Sequence, residues 1–196
     1  VEHVIMGQVL MAGQGQVPSR QAASKAGIPM SVPSISINKV CLSGLNSIYL
    51  ADQMIASGEA DIVIAGGMES MTNAPYLMLK GRAGYRMGHD RIYDHMMLDG
   101  LEDAYQPGRS MGTFGEDCAA KYQFSRAQQD HFATASVERA KAATASGAFA
   151  TEIAPVTVKD RTGERIIHID EGPGKGKLDK ITSLNPALQK DCTSTA

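Results

Sequence analysis

Ser36-Ile37-Asn38-Lys39-Val40-Cys41-Leu42-Ser43-Gly44 is where the side-chain period of this chain changes. Over residues 34–40, Ile35 and Ile37 alternate with Ser34, Ser36 and Asn38, the two-residue repeat of a strand. From Cys41 to about Ser57 that repeat stops. Leu42, Leu45, Ile48, Tyr49, Leu50, Met54 and Ile55 lie all round a helix with few charges, which predicts a buried helix. The junction falls at Cys41. The first turn of a helix presents unpaired N–H groups and the positive end of the dipole, and both stabilise a thiolate. Ser43, Gly44, Ser47 and Ala51 would let backbone or a substrate approach closely. Two readings of Cys41 stand on these residues: an activated nucleophile, or a buried cysteine packing as a small hydrophobe.

Upstream, Val4-Ile5-Met6-Gly7-Gln8-Val9-Leu10 predicts a strand buried on both faces. The loop Gly13-Gln14-Gly15-Gln16-Val17-Pro18 lacks the third glycine of a phosphate loop and reads as a connection. Ser19 is expected to cap a short helix to Lys25, closed by Gly27. Pro33 opens the strand over 34–40 and suits a half-exposed edge, which a partner subunit could cover. Downstream, Gly58 closes the Cys41 helix, and Asp61-Ile62-Val63-Ile64-Ala65-Gly66-Gly67 predicts a central parallel strand. Alternating strands and helices from residue 4 to 65 make a layered α/β sheet. In such sheets sites lie at the carboxyl ends of strands, where Cys41 falls.

The remaining 125 or so residues differ in character, by the loop-length statistics of compact domains. Residues 72–107 are rich in Met, Gly, Tyr and charge and have little periodicity, the pattern of covering loops with short helices. Residues 112–122 predict a helix. Ser125-Arg126-Ala127-Gln128 is a capping box opening a longer helix to about Ser146, closed by Gly147, with Asp130 and His131 on its solvent face. Residues 153–158 and 165–169 predict a hairpin about Asp160-Arg161-Thr162-Gly163. Residues 171–177 read as a flexible basic loop and 183–190 as a last short helix.

The 196 residues are 43% hydrophobic and 20% charged, which suits a soluble globular protein. A net charge of −2 offers no basic excess for nucleic acid or an anionic membrane. No apolar run approaches a membrane span. Cys41, Cys118 and Cys192 show no framework spacing, which points to a reducing, cytoplasmic setting. The chain opens on Val1 and ends at Ala196 without a terminal element, so it reads as part of a longer protein. His89, Asp90, Asp94 and His95 cluster in an irregular stretch without ligand spacing and are expected to be solvated loop residues; no metal site is expected. Ser36-x-x-Lys39 matches a nucleophile motif by letters, but that motif needs its serine to open a helix. Cys118 and Cys192 are expected to be inert.

The segment Asn38-Lys39-Val40-Cys41-Leu42-Ser43-Gly44 closely resembles the thiolase family, the acetyl-CoA acetyltransferases and 3-ketoacyl-CoA thiolases. Ala65-Gly66-Gly67-Met68-Glu69-Ser70-Met71 resembles the family's next strand and turn. Asp99-Gly100-Leu101, Met111-Gly112, Glu116 and the 125–128 helix start resemble its loop domain. The likeness runs in order along the whole chain. It implies a thiolase-like layered α/β fold: residues 1–71 as a partial first βαβαβαββ half, and 72–196 as the inserted α+β loop domain that holds coenzyme A. It also implies that the chain is incomplete, with a second half absent.

The activity implied is ping-pong acyl transfer in fatty acid metabolism. Cys41 takes an acyl group from an acyl-CoA, and the carbanion of a second acetyl-CoA attacks the acyl-enzyme; the reverse is thiolytic cleavage. No cofactor is implied, since coenzyme A belongs to the substrate. The family's Gly-His-Pro and Cys-x-Gly-Gly-Gly segments, which supply base and acid, are absent here. Leu101 and Met111 match positions lining the pantetheine channel. Ser110 stands where many members have His, and Lys175 stands near where they place an arginine, as a candidate phosphate partner. The implied partners are acyl-CoA or CoA and further copies of the chain, as homodimer or homotetramer, with neither nucleic acid nor membrane. Two alternatives remain: a non-catalytic CoA-binding or assembly protein that keeps only this half, and a different Cys enzyme related to the ketoacyl synthases.

Overall fold

The computed structural model describes residues 1–188 and 192–194. Two compact units divide the chain, one from Val1 to Met111 and one from Gly112 onward. The first is an α/β layer. Strands β1 (His3–Gly7), β2 (Ser34–Ile37) and β3 (Val63–Gly67) form a parallel sheet in the order β2-β1-β3. The register pairs Ile5 with both Ile35 and Ala65. Among the described strands β1 is therefore the middle one, with the run ending in Gly66-Gly67 beside it. Central position explains the burial of Val4 and Ile5, which are 4% and 1% exposed.

Helices α1 (Pro18–Lys25) and α2 (Ser43–Ala56) follow β1 and β2. Alternation along β1 sends Val4 and Met6 to one face, where Ala23 of α1, Ile28 and Val32 join them in a core. Gly7 faces the other way, toward the start of α2. The cap of α1 differs from expectation. Val17, in left-handed backbone (φ 41°), holds the N-cap position without a side-chain bond, and Pro18 opens the helix. Ser19 is fully buried and bonds to the hydroxyls of Ser34 and Ser36 at 3.1 and 3.0 Å. The serine side of β2 thus lies under α1, while Ile35 is exposed.

Helix α2 also departs from expectation. It buries its small residues Ser43, Ser47 and Ala51, at four-residue spacing on one face. Ser47 Oγ donates to the Gly66 carbonyl at 2.7 Å. Leu45, Ile48, Tyr49 and Ile55 on its outer side are exposed, so this helix is half covered, not buried. Past β3 the unit closes with the short antiparallel pair β4 (Tyr76–Leu77) and β5 (Tyr93–Asp94), then a π-helix, Met97–Leu101.

The second unit contains α3 (Gly112–Tyr122), α4 (Arg126–Ala145), the hairpin β6 (Val156–Asp160) with β7 (Gly163–Ile167), a short helix α5 (Glu171–Lys175) and a 3₁₀ turn, Leu178–Ser183. The capping box at Ser125 forms as predicted, with both Ser125 and Gln128 engaged. Asp130 is buried, not solvated, because Arg126 Nε reaches its carboxylate at 2.8 Å. The expected basic loop over 171–177 is helical in part, since Asp170 caps α5 through the Gly172 N–H. The helix expected over 183–190 does not form through Leu188; residues 189 and 190 lie outside the described residues. No described helix is long and apolar enough to cross a membrane.

Candidate active site

Cys41 lies two residues ahead of α2, not in its first turn. The backbone explains why. Val40 has φ 49°, a left-handed conformation that a β-branched residue adopts only when its surroundings force it. Side chains on both flanks hold it there. Asn38 Oδ1 accepts the Val40 N–H at 2.9 Å. Ser43 Oγ accepts the Lys39 N–H at 2.8 Å and donates to the Val40 carbonyl at 2.6 Å. Ser43 is 3% exposed, so these bonds form away from water. The chain is bent into a tight turn with Cys41 on its exposed crest. Among the described residues Cys41 takes no part in the core.

Three glycines set how deep the turn sits. A Cβ at Gly7 would stand 2.3 Å from the Ser43 carbonyl carbon, and one at Gly67 would stand 3.3 Å from Gly44 Cα. Gly7, Gly44 and Gly67 thus let the start of α2 press backbone to backbone against the carboxyl ends of β1 and β3. A cavity of about 420 Å³ opens beside Cys41 at this place. Its wall comes from Gly7–Leu10, the turn with Val40, Ser43 and Gly44, then Gly67–Glu69, Met71, Met96, Gly100 and Leu101. Most of these side chains are apolar, and Glu69 is the only acid among them.

Glu69 is already engaged. Its carboxylate accepts the N–H groups of Val9 and Leu10 at 2.8 and 3.1 Å, which fixes the chain leaving β1. Gln8 is 3% exposed and keeps its Oε1 without a hydrogen-bond partner among the described residues. No histidine lines the cavity. Among the described residues the cleft thus sets an accessible thiol beside an apolar wall whose only carboxylate, Glu69, accepts two backbone N–H groups.

Of the residues singled out from sequence, Cys41 and Leu101 share this cavity; Ser110 and Met111 do not line it. They stay near Leu101 through the backbone: the Met111 N–H donates to the Leu101 carbonyl at 2.8 Å, and Ser110 bridges Glu102. Lys175 lies in the second unit, paired with Glu171 at 3.1 Å and well exposed. Asp90 pairs with Lys80 at 2.6 Å, and the Lys80 ammonium beside it holds its carboxyl below the usual range. Val9, Met68, Glu69, Met71, Met96 and Gly100 were not foreseen as one wall. The Ala-Gly-Gly-Met-Glu-Ser-Met segment carried a signal for Met68, Glu69 and Met71, and Asp99-Gly100-Leu101 one for Gly100.

The family model for the thiolase N-terminal domain matches residues 1–196. The chain belongs to the thiolase family. A probable acetyl-CoA acetyltransferase of Mycolicibacterium smegmatis is 47% identical over 198 residues, covering 100% of this chain and 51% of its own length. An acetyl-CoA acetyltransferase of Pseudomonas aeruginosa and a probable acetyl-CoA acyltransferase of Staphylococcus aureus are each 46% identical, with 50% of their length covered. The chain spans about half the length of these curated relatives. The parallel sheet and its helices are thus part of a thiolase N-terminal domain.

Proposed function

We propose that this chain supplies the nucleophile-bearing half of an acyl-CoA C-acyltransferase, with Cys41 carrying the acyl group. The observation that supports it most is the pinned turn that lifts Cys41 out of the core and over an apolar cleft. The Cys41 thiolate attacks the thioester carbonyl carbon of an acyl-CoA. The C–S bond to coenzyme A breaks, CoA leaves as thiolate, and a new thioester joins the acyl group to Sγ. An acetyl-CoA that has lost an α-proton then attacks that thioester through carbon. A 3-ketoacyl-CoA leaves and the Cys41 thiolate is regenerated. In the reverse direction the Cys41 thiolate attacks the 3-keto carbon, the C–C bond breaks, acetyl-CoA leaves as a carbanion that takes up a proton, and CoA thiolate then takes the acyl group from Cys41. Coenzyme A is part of the substrate and no cofactor enters.

Glu69 accepts two backbone N–H groups that tie it to the chain leaving β1, and the groups that activate Cys41 and remove the α-proton are assigned to residues outside this cavity. A second half of the length found in the relatives would provide them. The pantetheine arm would run past Leu101, Ser110 and Met111, with residues 72–196 acting as the inserted CoA-binding domain. Strand β2, an edge among the described strands, suits pairing with a second copy in a homodimer or homotetramer. The unpaired cysteines suit a reducing compartment, the cytoplasm.

The test is to mix the native protein with acetyl-CoA, quench in acid and map the added acetyl mass. It should sit on the peptide holding Cys41, vanish in Cys41→Ala and leave on addition of free CoA. Label on Cys118 or Cys192 instead, or none at all, sinks the assignment. A second reading, a CoA-binding or assembly protein without transfer activity, draws on the engagement of Glu69, the only carboxylate lining the cavity among the described residues. It predicts CoA binding by the native protein with no acetyl-Cys41.

A further inference from the structure

His95 is 6% exposed, yet it does not line the cavity. Both ring nitrogens are engaged. The Ala12 N–H points at Nε2 at 3.3 Å, and Nδ1 lies 2.6 Å from the Asp99 carboxylate. A backbone N–H can only donate, so Nε2 must present a lone pair. The carboxylate accepts, so the proton sits on Nδ1. An imidazolium would turn N–H against N–H at Ala12. Of the two neutral tautomers, the contacts fit the one with its proton on Nδ1.

The two partners belong to two neighbouring segments that both contribute to the cavity wall. Ala12 continues the loop whose Val9 and Leu10 face the cleft, and Asp99 belongs to the π-helix whose Gly100 and Leu101 face it. The segments also touch directly, since Leu10 Cδ2 lies 3.5 Å from where a Gly100 Cβ would be. The His95 N–H donates to the Pro75 carbonyl at 3.1 Å, which anchors the ring's own backbone. Glu69 holds the near end of the loop and His95 its far end.

We propose that His95, oriented by Asp99, is a positioning residue that sets the spacing between the Leu10 and Leu101 segments of the Cys41 cleft, and so governs how the acyl-CoA donor is held beside Cys41. The role in acyl binding rests on the acyltransferase reading above; the tautomer and the wall contact do not. The functional consequence is specific. Loss of the ring should loosen the cleft without altering Cys41 itself, whose turn is pinned by Asn38 and Ser43.

The test uses the native protein. Nitrogen NMR of the wild type at neutral pH should show His95 with Nδ1 protonated and Nε2 bare, and Asp99→Ala should lose that preference. Acylation of Cys41 in His95→Ala should need about tenfold more acyl-CoA for half-saturation, the net worth of one hydrogen bond. Alkylation of Cys41 by iodoacetamide should be unchanged. His95→Gln, whose amide oxygen can accept the Ala12 N–H, should recover most of the loss and serves if the alanine variant does not fold. A protonated Nε2 in the wild type overturns the proposal, as does an unchanged half-saturation or an equal fall in alkylation. No acylation in the wild type would instead defeat the acyltransferase reading, and the role in holding the acyl-CoA donor with it, leaving the tautomer measurement to decide the wall contact alone.

Discussion

The Ser43 hydroxyl meets the Lys39 N–H and the Val40 carbonyl in a buried spot, and both belong to the turn that carries Cys41. Removing it leaves two backbone groups without these bonds and releases the constraint on Val40. Ser43→Ala should cost about 1–2 kcal/mol in urea denaturation and slow iodoacetamide labelling of Cys41. An unchanged labelling rate would show that the strain at Val40 is held by other contacts. Glu116 makes a comparable clamp in the second unit. Its carboxylate meets the N–H groups of Thr193 and Ser194, the first at 3.0 Å. The Ser194 side chain first, and then the Thr193 N–H, hold its carboxyl below the usual range. A depressed folded-state pKa stabilises above the unfolded value and loses that contribution as pH falls through the folded one. Glu116→Gln should therefore cost about 1 kcal/mol of stability at neutral pH, roughly one hydrogen bond, read as a lower melting temperature. The gap from wild type should narrow in acid. A gap that stays constant from pH 7 to pH 3 would remove the carboxylate from the explanation.

At the level of elements, the contact between α2 and the sheet depends on absent side chains. Gly7→Ala places a methyl 2.3 Å from Ser43 backbone, and no rotamer can relieve a clash with backbone. The expected loss is at least ~3 kcal/mol, in the range of severe overpacking. Gly58→Ala is the control. It closes α2 with φ 75° and has nothing within 4 Å of the added methyl, so only conformational strain of about 1 kcal/mol is expected. Comparable losses in the two variants would mean that the close approach is not what seats the Cys41 turn. The elements that could be read from sequence follow local rules: α3, the capping box of α4, the hairpin and the alternation of β2. The start of α2 could not be placed, because the cause is a strained Val40 that no periodicity announces. Ser19 looked like a cap since its type and position fit, but its hydroxyl is taken by Ser34 and Ser36. Cys41 was legible from its junction and its motif. The wall facing it was legible only in part: Leu101, Gly100 and the Gly67–Met71 stretch through their motifs, but not Val9 or Met96, the residue that caps the short π-helix.

For the whole molecule, the decisive feature is the outer side of α2. Leu45, Ile48 and Tyr49, at helical spacing, are 63%, 53% and 57% exposed. Sequence alone predicted this helix to be buried, and that prediction came from side chains suited to contact on every side. Here only the small-residue face is covered. Burying one large apolar side chain is worth about 1.5–3 kcal/mol. An exposed stripe of three therefore favours association strongly when the chain is on its own. Prepared alone, the 196-residue chain should form concentration-dependent oligomers in light scattering, and Leu45→Glu with Ile48→Glu should shift it toward 20.8 kDa without altering its far-UV circular dichroism. In a polypeptide of the length seen in the relatives, the same pair should act with the opposite sign and lower the melting temperature, because charge would then be forced into a covered face. If the double variant were neutral in the long form, α2 would be solvated there too. The thiolase half would then have to hold its helix by the Ser43, Ser47 and Ala51 face alone.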